Sequence, residues 1–89
     1  MNVFEIAKQL ETQIELFRND NNTFVVSMAH CYVHSDGAFE SACASGRTIE
    51  NALLELSILI TGHRVCNKKG VKLKSMEGKW FVPGVKVEN

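Results

Sequence analysis

The sequence predicts an α+β fold: a single small antiparallel sheet with two helices on one face, in the order α-β-β-α-β-β. Three observations lead there. Apolar residues recur at steps of three or four in two separate stretches, near the N-terminus and again after Thr48. Between these stretches, a run rich in β-branched and aromatic residues leads into an Asp-Gly pair, the dipeptide that tolerates positive φ in a tight hairpin. A second pair of strand-like runs flanks Glu77-Gly78 near the C-terminus.

The first helix is expected over residues 2–17, where Val3, Ala7, Leu10, Ile14 and Phe17 share one face and Glu5, Gln9, Thr12 and Glu15 lie away from it. The turn formers Asn19-Asp20-Asn21-Asn22 stop it. A long strand follows over residues 23–34, with Phe24, Val26, Met28 and Tyr32 on one face and Val25, Ala29, Cys31 and Val33 on the other. With Asp36 and Gly37 as loop residues, residues 39–44 return antiparallel, so that His34 faces Phe39, Val33 faces Glu40, Tyr32 faces Ser41 and Cys31 faces Ala42.

One face of this hairpin then carries small groups, Ala29, Cys31, Ala42 and Ala44, which let a helix approach closely. The next segment provides that helix. Thr48 is its N-cap, Ile49, Ala52, Leu53, Leu56, Leu59 and Ile60 form its apolar stripe, and Gly62 ends it. The last elements are a basic hairpin, residues 71–75 and 79–82, and an edge strand or frayed tail over residues 85–89 after Pro83-Gly84. Two apolar helix stripes against one sheet is the simplest layering that buries both.

At 89 residues the chain makes one domain with a thin core, burying only about 60 to 65% of the surface its unfolded form exposes. Hydrophobic content of 45% with charged content of 22% is ordinary for a globular protein. The longest apolar stretch, residues 52–60, contains Glu55 and Ser57 and is far shorter than the roughly 20 residues that span a bilayer, so no membrane partner is expected. Glu5 stands where a secretory leader would be basic. Three cysteines, Cys31, Cys43 and Cys66, cannot all pair within the chain, which fits a reducing cytoplasm.

The net charge of zero conceals a division. Residues 1–63 hold three basic and eight acidic side chains, a sum of minus five, and residues 64–89 hold seven basic and two acidic ones, a sum of plus five. Such a one-sign segment concentrates partners of opposite sign, or else faces the acidic segment within the same fold. The candidate binding residues are therefore Arg64, Lys68, Lys69, Lys72, Lys74 and Lys79 with Trp80, whose ring would stack on a base or anchor a protein partner.

No catalytic apparatus is visible. His34, Ser35 and Asp36 are consecutive in a tight turn and cannot converge as a relay, and no phosphate-binding loop or dinucleotide fingerprint occurs. Cys31-x-x-His34 and His63-x-x-Cys66 together have the ligand types of a tetrahedral zinc site, although Cys31 and His34 in a regular strand point to opposite faces. No cofactor is assigned.

The segment Ser45-Gly46-Arg47-Thr48-Ile49-Glu50-Asn51-Ala52-Leu53, a polar-Gly-x-Thr turn opening an Ala-Leu helix after a strand pair, resembles HicB-type antitoxin domains and certain small phage accessory proteins. The likeness spans residues 23–62. It implies a short sheet that carries a helix introduced by such a turn, in a small protein of a phage or mobile element. The leading functional expectation is thus a non-enzymatic accessory protein that binds or inhibits a macromolecular partner, a protein ahead of a nucleic acid, and self-associates as a homodimer through an exposed strand edge. The alternatives are a nucleic-acid-binding domain using the basic hairpin, and a zinc-stabilised domain.

Overall fold

The computed structural model describes residues 2–35, 38–67 and 84–88, together with the strand backbone at 75–76 and 79–80. The elements are α1 (Val3–Gln9), β1 (Ile14–Arg18), β2 (Phe24–Ser35), β3 (Ala38–Gly46), α2 (Ile49–Ile60), β4 (Arg64–Asn67), β5 (Ser75–Met76), β6 (Lys79–Trp80) and β7 (Val85–Lys86). The fold is α+β, with two helices and a curled antiparallel sheet, as the sequence predicts.

The N-terminal helix is shorter than expected. Asn2 caps it by accepting from the Glu5 amide, and it ends at Leu10 because Glu11 takes a left-handed backbone, φ 54°, that no right-handed helix can continue through. Thr12 then donates its hydroxyl to the Ala29 carbonyl. Ile14, Glu15, Leu16 and Phe17 pass into β1, in antiparallel register with Met28, Ser27, Val26 and Val25. The spacing of Ile14 and Phe17 fits the helical stripe, but Ile14, Glu15 and Leu16 also alternate, and pairing with β2 decides for the strand.

β2 is the spine of the sheet. One of its edges is shared by β1, along its first half, and β4, along its second; β3 lies on the other edge. The β2–β3 register follows the expected pairs Tyr32 to Ser41, Val33 to Glu40 and His34 to Phe39, and then breaks. Between Ser27 and Tyr32 the strand bulges, so that Ser27 pairs with Cys43 and the expected pairing of Cys31 with Ala42 does not form. His30, at φ 58°, is the left-handed residue inside the bulge. The bulge carries an odd excess of residues and therefore switches which positions face inward. Val26 and Met28 are buried before it, and Ala29, Cys31 and Val33 after it.

α2 covers this inward face, packing on β3 and β2. The Thr48 hydroxyl accepts from the Asn51 amide at 3.1 Å, the expected cap. Ala52, Leu56 and Ile60 are fully buried, whereas Ile49 is exposed. Gly46 makes the close approach possible: a Cβ there would stand 2.6 Å from the Ala52 nitrogen. α1 adds Val3, Ile6 and Ala7 to the same core.

β4 is a strand that the sequence pattern does not predict. Its four residues pair with β2, Val65 opposite Val33 and Cys66 opposite Tyr32. The C-terminal run is an edge strand, not a frayed tail. β7 pairs with β4, and Val87 is buried with its backbone bonded on both sides, its amide to His63 and its carbonyl to Gly62. The basic hairpin is present as β5 paired with β6, Ser75 opposite Trp80 and Met76 opposite Lys79; the rest of that expected hairpin lies outside the described residues. No described helix is long and apolar enough to cross a membrane.

Candidate functional site

Two surface features arise from this architecture. The first is the gap that the β2 bulge leaves between the start of β1 and the end of β4. Glu11, Thr12, Gln13, Ala29, His30 and Asn67 line a half-open pocket of about 360 Å³ there. It is well fastened: Asn67 donates its side-chain amide to the Leu10 carbonyl at 2.8 Å, the Ala29 amide donates to Gln13 at 3.0 Å, and Thr12 donates to Ala29. Glu11 and His30 are two of the three described non-glycine residues with positive φ. Both side chains are exposed among the described residues.

The second feature is the outer face of α2. At 3.6 residues per turn, Leu54 and Ile58 lie on the side opposite the buried Ala52, Leu56 and Ile60, four residues apart and therefore adjacent. They are 58% and 60% exposed. Glu50 and Glu55 flank them, and α2 contains no basic residue. The sequence held a signal for this pair, since both residues fall off the stripe that the core uses.

Of the candidates named from sequence, the structure describes Arg64 and the strand backbone at Lys79 and Trp80. Arg64 begins β4, half-buried, and its guanidinium donates to the Gly84 carbonyl at 3.2 Å, which ties it to its own chain. Lys79 and Trp80 form β6. Lys68, Lys69, Lys72 and Lys74 lie outside the described residues.

The four residues of the zinc alternative do not converge. Cys31 faces the core between the sheet and the helices. Cys66, on the alternate face of β4 from Val65, lies against the Tyr32 carbonyl. His34 packs its ring on Phe39, centroids 4.8 Å apart. His63 sits at the junction of α2 and β4. Among the described residues no three metal-ligating side chains cluster. Burial pushes the Cys31 thiol up in pKa, helped by nearby Cys66 and opposed by a hydrogen bond with Thr12, and burial also raises Cys66. Both are therefore poor nucleophiles at neutral pH.

Comparison with known proteins finds no protein-family model, no curated protein and no solved structure that matches this chain.

Proposed function

We propose that this chain is a non-enzymatic accessory domain of the cytoplasm that docks on a protein partner through the outer face of α2. The observation that carries the reading is the exposed Leu54–Ile58 pair on the side of α2 away from the core. Single exposed apolar residues are normal on a protein surface, but two adjacent ones directed outward from a rigid, capped helix form an anchor for a hydrophobic groove. Glu50 and Glu55 beside the pair favour a groove with a basic rim. The Ser45-Gly46-Arg47-Thr48 turn into α2 resembles the turn that opens the helix of HicB-type antitoxin domains and small phage accessory proteins, and this likeness is what suggests an accessory protein of a phage or mobile element.

A photoactivatable phenylalanine analogue introduced at position 54 or 58 tests the reading in expressing cells. The expected result is a discrete protein adduct that the same analogue at exposed position 88 does not form. Replacing Lys68, Lys69, Lys72 and Lys74 together with serine leaves that adduct in place, whereas a contact made by the basic segment would lose it. Equal background labelling from positions 54, 58 and 88 would overturn the proposal.

A further inference from the structure

We infer that the edge of β3 away from β2 pairs antiparallel with the same edge of a second copy of this chain, joining the two sheets across a two-fold axis. The nine residues of β3 pair only with β2 among the described residues, which leaves roughly 30 Å of backbone edge with donors and acceptors directed outward. Edge strands of monomeric proteins carry proline, lysine, inward charges or bulges that block such pairing. β3 has no proline and no lysine, the bulge in its pairing with β2 lies in β2, and its one charge is Glu40.

The edge is also complementary to itself. Centred on Ala42, self-pairing sets Glu40 against Ala44 and Cys43 against Ser41; centred on Cys43, it sets Ser41 against Ser45. Neither register opposes two carboxylates, and the facing side chains are mostly short. Strands pair about 4.8 Å apart, so helices seated over β2 and β3 in each copy would lie roughly 10 Å from one another, the distance at which helices pack. A second copy fits better than an unrelated strand because two-fold pairing consumes the same edge on both molecules and closes. Pairing of β3 with the β1 edge would instead leave a free edge at each end and propagate, and β1 bears Glu15 and Arg18, which discourage it. This inference rests on the β3 edge and on the seat of α2 over β2 and β3, and it stands whether or not the outer face of α2 docks a partner.

The test combines light-scattering mass with cross-linking at Cys43, the one exposed cysteine among Cys31, Cys43 and Cys66. The wild-type chain is expected at twice its 9.9 kDa mass, and a short bis-maleimide is expected to link two copies through Cys43. Ser41→Lys with Ser45→Lys, both at exposed positions of β3, abolishes the doubled mass and the adduct while leaving the circular dichroism spectrum unchanged. Asn21→Lys with Glu88→Lys, exposed positions off this edge, retains both. A wild-type chain that stays monomeric and gives no Cys43 adduct would overturn the inference, as would a dimer that Ser41→Lys with Ser45→Lys does not affect.

Discussion

Met28 and Cys31 stand three positions apart in one strand, yet both point into the core, at 1% and 4% exposure. A regular strand would place them on opposite faces. The left-handed turn of His30 between them accounts for the switch, and it lets a single twelve-residue strand bury its even positions against one part of the core and its odd positions against another. The same turn opens the gap that separates β1 from β4 along one edge of β2.

This conformation makes His30 sensitive to backbone chemistry more than to its imidazole. His30→Gly is expected to leave stability unchanged or raise it by up to about 1 kcal/mol, since glycine adopts positive φ without strain. His30→Val is expected to lower it by about 1 to 3 kcal/mol, because a β-branched residue fits that region poorly. Urea midpoints of the two variants check the order, and equal midpoints would remove the bulge from the account.

A second pair of changes separates contact distance from capping at the start of α2. Thr48→Ala removes the hydroxyl that accepts from Asn51 and is expected to cost about 1 kcal/mol. Gly46→Ala forces a Cβ to within 2.6 Å of the Ala52 nitrogen, so α2 must move off β3 and the whole helix face loses packing. The expected loss is larger, on the order of 1 to 3 kcal/mol for overpacking of this kind. Thermal midpoints in the order wild type, Thr48→Ala, Gly46→Ala confirm it; the reverse order would mean that the helix and β3 are less tightly joined than the structure shows.

Local chemistry made much of this fold legible in the sequence. The Thr48 cap, the end of α2 before Gly62 and the hairpin pairs around Asp36-Gly37 each follow from a few neighbouring residues. What escaped was non-local. Ile14 and Phe17, three positions apart, fit a helical period and would fall on opposite faces of a strand, and only their pairing with Met28 and Val25 makes that segment a strand. His30 is not a residue type that announces a bulge, so the switch of inward face after Met28 left no mark in the pattern. β4 is four residues long and bordered by charge, too short for alternation to show. The candidate site divides in the same way. A cluster of lysines around Trp80 is conspicuous in a sequence, whereas Leu54 and Ile58 become informative only once the buried side of α2 is known.

The thiols give a pH-dependent check on the core. Cys31 and Cys66 have pKa values raised above the ordinary 9.0 by burial, so the folded chain holds their protons to higher pH than the unfolded chain does. The unfolded state therefore binds fewer protons once pH passes 9.0, and stability contributed by these groups is complete below that value and declines above it. Cys31→Ala with Cys66→Ala is expected to make the alkaline decline shallower. In the native wild-type chain, a thiol-reactive chromophore should modify exposed Cys43 rapidly and the other two only on unfolding. Fast labelling of all three in the native state would contradict the burial of Cys31 and Cys66.

The two faces of α2 make the sharpest contrast, because residues of the same chemical type do opposite work within one turn. Leu56 is fully buried among sheet and helix residues, and Leu56→Ala is expected to cost about 2 to 5 kcal/mol through lost burial and the cavity left behind. Leu54→Ser with Ile58→Ser removes side chains that already face solvent, so the expected change in stability is within about 0.5 kcal/mol of zero. Docking should respond the other way: Leu54→Ser with Ile58→Ser loses the partner while the fold persists. Denaturation midpoints and cross-linking from position 51, exposed on the same helix, report the two effects separately. A large loss of stability in the double variant would mean that Leu54 and Ile58 serve the fold, and an undiminished adduct from position 51 would mean that the partner contacts another surface.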